Sequence, residues 1–253
     1  MSKPTLIERP DGEVLHASYK ESGSSEYLVI LVHGFPKAQS DTSNLFGFLA
    51  EEVLKYGASS LLFDYSSCDY KTKETDGFCF ESAHKDLDII YEWAKEKGFT
   101  NIGIIAEGLG APIILTHSPE NCFMGIFFWP AFNLQYVHDT QFNAAAGFAR
   151  LETDGYINYN QVRVGKALLS ELTNIDLKEA LNNFTAPTLI LHGDNDVVIP
   201  AFHLDIARED LMSRRLEITI FEGGEYGLER TNDRKATLMH IGQFLHQYTP
   251  SQK

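Results

Sequence analysis

Six short apolar runs, each followed by a stretch of different periodicity, constrain this chain more than anything else in it. They fall at residues 28–32, 59–63, 101–105, 125–129, 188–191 and 218–221. They are apolar without a polar alternation, the pattern of strands covered on both faces rather than strands with one wet side. Between and after them the apolar residues recur at helical spacing. Leu45, Phe48, Leu49, Val53 and Leu54 form one stripe; Ala83, Leu87, Ile90, Tyr91 and Ala94 form another, with Gly98 as a stop; Leu238, Ile241, Leu245 and Tyr248 mark a C-terminal helix. Strands alternating with helices predict an α/β fold, a mostly parallel central sheet covered by helices on both faces. Residues 6–19, with Asp11-Gly12 in the middle, predict an N-terminal antiparallel hairpin at the sheet edge.

The length, 253 residues, suits one domain spanning 1–253. Residues 133–184 break the alternation. They are rich in Asn, Gln, Tyr and Phe, with a helical patch near 164–172. Their place after the fourth run puts them at the carboxyl ends of the strands, where open parallel sheets bind ligands, so they are expected to form a small lid insertion. A net charge of −14 argues against nucleic acid and against an anionic membrane as partner. Cys68, Cys79 and Cys122 are odd in number and lack metal-type spacing; Met1-Ser2-Lys3-Pro4 lacks the apolar core of a signal peptide; no apolar run approaches the ~18 residues of a membrane span. The expectation is a cytoplasmic protein with unpaired thiols, no metal and no cofactor. The oligomeric state, a homodimer included, stays open.

Chemistry is expected at the strand ends. The run at 101–105 leads into Ala106-Glu107-Gly108-Leu109-Gly110, and Ala111-Pro112-Ile113-Ile114-Leu115 then reads as a helix start. Strand, tight turn and helix are the setting of a nucleophile elbow, G-x-S-x-G, in which the central serine attacks. Here the centre is Gly108, which has no side chain. The other strand ends carry His33-Gly34-Phe35, Phe128-Trp129-Pro130-Ala131, Leu191-His192-Gly193-Asp194-Asn195-Asp196-Val197-Val198 preceded by Asn183-Phe184-Thr185-Ala186-Pro187, and Glu222-Gly223-Gly224-Glu225-Tyr226-Gly227-Leu228.

In this order and spacing, over nearly the whole length, the chain resembles an α/β-hydrolase, in particular the cinnamoyl/feruloyl esterase branch. The resemblance implies the α/β-hydrolase fold and a Ser–Asp–His triad, which falls on Gly108, Asp196 and Tyr226, so only the acid survives. A further loop, G-x-G-x-S in the family, reads Ser66-Ser67-Cys68-Asp69-Tyr70. Losing the serine of such a triad costs ~10⁶ in turnover, and losing the base as well adds little, because the groups act as a unit. A phenol, with a pKa of ~10 in water, is a poor base near neutrality.

What remains is an oxyanion-type pair, the N–H groups of Phe35 and Leu109, and an expected hydrogen bond between Asp196 and Tyr226. Glu107 is expected to point into the sheet as a buried, partnered acid. His33 and His192, each before a glycine, are expected to fix loops, and the other histidines form no metal-type cluster. Phe132, Phe142, Phe148, Tyr156 and Tyr159 line a pocket or form the core of the lid. The leading expectation is a pseudoenzyme that keeps a site for a small apolar or aromatic ligand, contacted by His33, Cys68, Phe132 and Tyr226, or for a protein partner. Two alternatives stand beside it. One is a lyase, isomerase or cyclase that uses Tyr226 and Asp196. The other is an ester hydrolase with a relocated nucleophile such as Cys68.

Overall fold

The computed structural model describes residues 3–23, 26–36, 45–69, 71–142, 148–227 and 231–249. The hairpin forms as the Asp11-Gly12 turn requires: β1 (Lys3–Glu8) pairs antiparallel with β2 (Val14–Lys20). Gly12 adopts a left-handed φ of 86° in the turn. The six apolar runs are strands, each extended by one to three residues at an end except the second. They are β3 (Tyr27–Val32), β4 (Ser59–Phe63), β5 (Asn101–Glu107), β6 (Cys122–Phe128), β9 (Thr188–Gly193) and β10 (Leu216–Phe221). Every residue of β4 and β9 is buried, as a strand covered on both faces demands. With the hairpin these strands make one eight-stranded sheet in the order β1-β2-β4-β3-β5-β6-β9-β10, parallel from β4 to β10.

The helices follow from that order. The crossover from β3 to β4 carries α1 (Leu45–Lys55) in one direction along the sheet. Those from β4 to β5 with α2 (Phe80–Glu96), from β5 to β6 with α3 (Gly110–His117) and from β9 to β10 with α8 (His203–Asp210) run in the other. Right-handed crossovers of opposite direction put their helices on opposite faces. Accordingly α1 packs with the C-terminal helix α9 (Thr231–Tyr248), and α2 packs with α3. The direction reverses at β3, so the crevice beyond the carboxyl ends of β3 and β5 is the topological switch point. Residues 33–36 and 107–110 border it.

The insertion after β6 is more structured than its composition suggests. It contains α4 (Leu134–Val137), a π-helical turn (His138–Phe142), α5 (Phe148–Asp154), an antiparallel hairpin of β7 (Tyr156–Tyr159) and β8 (Val162–Gly165), then α6 (Lys166–Asn174) and α7 (Lys178–Asn183). The hairpin escapes a reading by periodicity because its two strands are only four residues long. The insertion is tied to the body through polar contacts. The Glu171 carboxylate accepts from the N–H groups of Phe80 and Glu81, at 2.6 and 3.1 Å, and so caps the start of α2. Cys79 completes that cap, its sulfur accepting from the Ser82 N–H while the Ser82 hydroxyl accepts from the Cys79 N–H. Tyr70, Leu228, residues 143–147 and the side chain of Phe148 lie outside the described residues.

Candidate functional site

The elbow forms where the sequence puts it. Gly108 follows β5 with a φ of 53°, in the left-handed region, and α3 begins two residues later. Gly110 is needed for a second reason. A Cβ there would lie 2.6 Å from the Val32 carbonyl oxygen and 2.9 Å from that of His33, so only glycine lets the start of α3 pack against the end of β3. That close approach brings the Phe35 loop beside the elbow. Among the described residues no backbone carbonyl accepts from the N–H of Phe35 or of Leu109.

Tyr226 sits on the loop after β10. This loop is stitched to the acid loop: Asp194 Oδ1 accepts from the Gly223 N–H at 2.6 Å, and the Asn195 N–H donates to the Gly224 carbonyl at 2.9 Å. So anchored, the Tyr226 hydroxyl reaches the elbow. It lies 3.0 Å from where a Cβ on residue 108 would stand and 3.7 Å from where one on residue 34 would stand. The phenol oxygen therefore occupies the space of a side chain at the centre of the elbow.

The bond expected between Tyr226 and Asp196 is not formed. Tyr226 donates instead to Glu107 Oε1 at 3.1 Å, and the Trp129 indole N–H approaches the same oxygen at 3.4 Å. Glu107 is a buried, partnered acid as expected, 1% exposed, and its partners are these two aromatic side chains. The Tyr226 and Trp129 rings lie 5.1 Å apart, centroid to centroid. Burial first, then the neighbouring Glu107 carboxylate, push the Tyr226 phenol well above its ordinary pKa, so it stays protonated at any physiological pH. The sequence signals only part of this cluster: a carboxylate at the buried end of a central strand must find donors, and Trp129, at the end of the adjacent strand β6, is one, while Tyr226 arrives from the loop after β10, three strands away.

Asp196 keeps the geometry of an acid held for a partner. Its Oδ1 accepts from the N–H groups of Val198 and Ile199, both at 2.8 Å, while Oδ2 is buried with no hydrogen bond. Burial raises its pKa and lowers that of neighbouring His192. The Nδ1 atoms of His192 and His33 lie 2.8 and 2.9 Å from the carbonyls of Gly193 and Gly34, the loop-fixing contacts expected of them. His203 was not singled out by sequence. It is fully buried, its Nδ1 accepts from the Asn133 N–H at 3.1 Å, and burial drives its pKa down to about 4.

The remaining expected contacts scatter. Phe35 stacks on Phe78 at 4.4 Å. His33 is fully buried, with Tyr65 edge-on to its ring at 4.7 Å. Cys68 is half-buried in its own loop, its N–H donating to the Tyr65 carbonyl. Phe132 is buried and lines a cleft of about 310 Å³ between the insertion and α8, formed with residues such as Leu177, Leu181 and Ile206. Phe142 packs edge-on against Tyr159 at 5.0 Å and is fully buried, as insertion core. The three cysteines form no disulfide. Among the described residues no group of three metal-capable side chains comes together, and no helix is long and apolar enough to cross a membrane.

Strand order, the glycine elbow after β5 and the acid loop after β9 together define the α/β-hydrolase fold. Comparison with solved structures agrees. Est1E from Butyrivibrio proteoclasticus superposes with a TM-score of 0.78 at 15% identity, covering 97% of this chain and 98% of that one. Est1E with ferulic acid bound gives 0.79 at 14%, over 96% and 98%. Mouse alpha/beta hydrolase domain-containing protein 10 gives 0.72 at 15%, over 97% and 99%. No family model matches the chain, and no curated protein matches it in sequence. At such identities the shared property is the fold.

Proposed function

We propose that this chain is a catalytically degenerate α/β-hydrolase, a binding protein rather than an esterase, whose strand-end crevice takes a small apolar or aromatic ligand. One observation carries the reading: the Tyr226 hydroxyl stands over Gly108, in the space a nucleophile would need, and is bound to Glu107. Covalent catalysis has no attacking atom at the elbow, and Asp196 has no imidazole to orient. A protonated phenol is also no general base, which weighs against a lyase or isomerase built on Tyr226 and Asp196. The aromatic class of ligand draws support from the surrounding rings of Phe35, Trp129 and Tyr226, and from Est1E, whose fold this chain shares and which binds ferulic acid.

The test is chemical. A serine-directed fluorophosphonate leaves the wild-type protein unlabelled, and aryl acetates are hydrolysed no faster than in buffer. Gly108→Ser combined with Tyr226→His places a hydroxyl and an imidazole where Asp196 Oδ2 stands open, and is expected to gain measurable aryl-ester hydrolysis together with fluorophosphonate labelling at residue 108. Labelling of the wild-type chain at one specific residue, or wild-type turnover abolished by Cys68→Ala, overturns the proposal. Titration with ferulic acid, read by quenching of Trp129 emission, tests the ligand class. Unchanged emission up to millimolar ligand removes aromatic acids from the reading.

A further inference from the structure

On the other side of the molecule a groove of about 690 Å³ runs between the edge strand β1 and the outward side of α2. Its floor is apolar. Leu6 is 61% exposed there, and Ile89 and Trp93 are half-buried beside it. Trp93 is held edge-on against Tyr19 at 5.3 Å, so its ring is positioned before anything binds. The rim is acidic: Glu8 from the strand, and Asp88, Glu92 and Glu96 at successive turns of the helix. Among the described residues that line the groove the cation is Arg9, already engaged by Asp11 at 2.8 Å and Asp86 at 3.0 Å. Asp88 meets His117 at 2.9 Å and Glu92 meets Lys95 only at 3.9 Å. Among the described residues Glu8 and Glu96 make no ion pair.

We infer that this groove docks a short extended cationic segment of another protein, basic residues alternating with aliphatic or aromatic ones. Charge decides the class of occupant. A second copy would bring the same carboxylates to the same face, on a chain of net charge −14. Nucleic acid and anionic lipid are repelled in the same way. An arginine or lysine, in contrast, finds carboxylates on both walls and the face of Trp93 for its cation, while apolar side chains between the basic ones cover Leu6 and Ile89. The lining segment, residues 6–10, of which 6–8 belong to β1, is at most roughly 13 Å long, room for about four extended residues. The inference is independent of what happens at Gly108.

A pentapeptide array probed with the full-length protein tests it. The wild-type chain is expected to select peptides with two or more Arg or Lys spaced by apolar residues, and to ignore Gly-spaced peptides of equal charge. Glu92→Arg with Glu96→Arg, both exposed and so compatible with folding, is expected to weaken the selected peptides at least tenfold; Leu6→Asp is expected to weaken them severalfold. Three results each overturn the inference: no selection, equal retention by wild type and the charge-reversed variant, or equal retention of the Gly-spaced peptides. A dimer in sedimentation that Leu6→Asp dissolves also overturns it, because the occupant is then a second copy.

Discussion

The acid loop and the elbow border one crevice but differ in how their polar groups are satisfied. Asp196 is held by backbone alone: two N–H groups of its own turn fix Oδ1, and Oδ2 is buried without a hydrogen bond. A carboxylate anchored in this way keeps its position whether or not a histidine stands opposite. The elbow's backbone is bonded too, the Gly108 N–H donating to the Phe128 carbonyl and the Gly108 carbonyl accepting from the Ala131 N–H, both at 3.1 Å, but the space over it is filled by side chains. There Gly108 has no side chain, the Tyr226 hydroxyl stands in the space one would take, and Glu107 accepts from that phenol and from the Trp129 indole N–H. A carboxylate fixed by its own turn needs no side chain opposite to hold it, whereas a cluster of buried side-chain polar groups holds only while its members satisfy one another.

Three substitutions break or sharpen that contrast. The largest effect is expected from Glu107→Ala, which strands the Tyr226 hydroxyl and the Trp129 indole N–H without their acceptor. It should cost about 3 kcal/mol in urea denaturation, with Glu107→Gln, which keeps a carbonyl acceptor, costing clearly less. Equal, small losses for both would mean that the cluster holds nothing together.

Gly108→Ser is expected to cost about 2 kcal/mol, since the new Cβ meets the Tyr226 oxygen at 3.0 Å on a backbone of positive φ. In a double-mutant cycle Tyr226→Phe should relieve part of that cost, with a coupling of about 1 kcal/mol. Strict additivity would show that the hydroxyl does not occupy the space of a side chain at 108.

The smallest effect belongs to the acid loop. Burial raises the folded-state pKa of Asp196 above its unfolded value, so the folded protein holds that proton more tightly. The stability linked to it is complete below the ordinary carboxylate range and declines as pH rises through the raised pKa. Asp196→Asn keeps the Oδ1 acceptor and removes the buried charge. It should be more stable than wild type by about 1 kcal/mol at pH 7, with the difference shrinking toward pH 3. A variant less stable at neutral pH would mean that Oδ2 has a partner after all.

Much of the fold was legible in the residues. The continuous apolar runs could only be covered strands, Asp11-Gly12 could only turn, and the spacing of His33-Gly34-Phe35, Gly108, Asp196 and Tyr226 placed all four at strand ends. Two features were not legible. The β7–β8 hairpin is too short for its period to register, and it is stabilised by contacts with residues about ninety positions away, such as Arg163 with Glu74. The partner of Tyr226 was misassigned because the pairing of acid and base that the resemblance implies suggests Asp196, whereas the phenol donates to Glu107.

What the sequence determined by itself is therefore periodicity and inventory: which segments are strands or helices, and which side chains stand at the strand ends. Whether Tyr226 faces Asp196 or Glu107 was decided only when β5, β6 and the loop after β10 came together. That choice depends on which buried polar atoms end within three ångströms of one another, a property of packed distances that chain order does not encode.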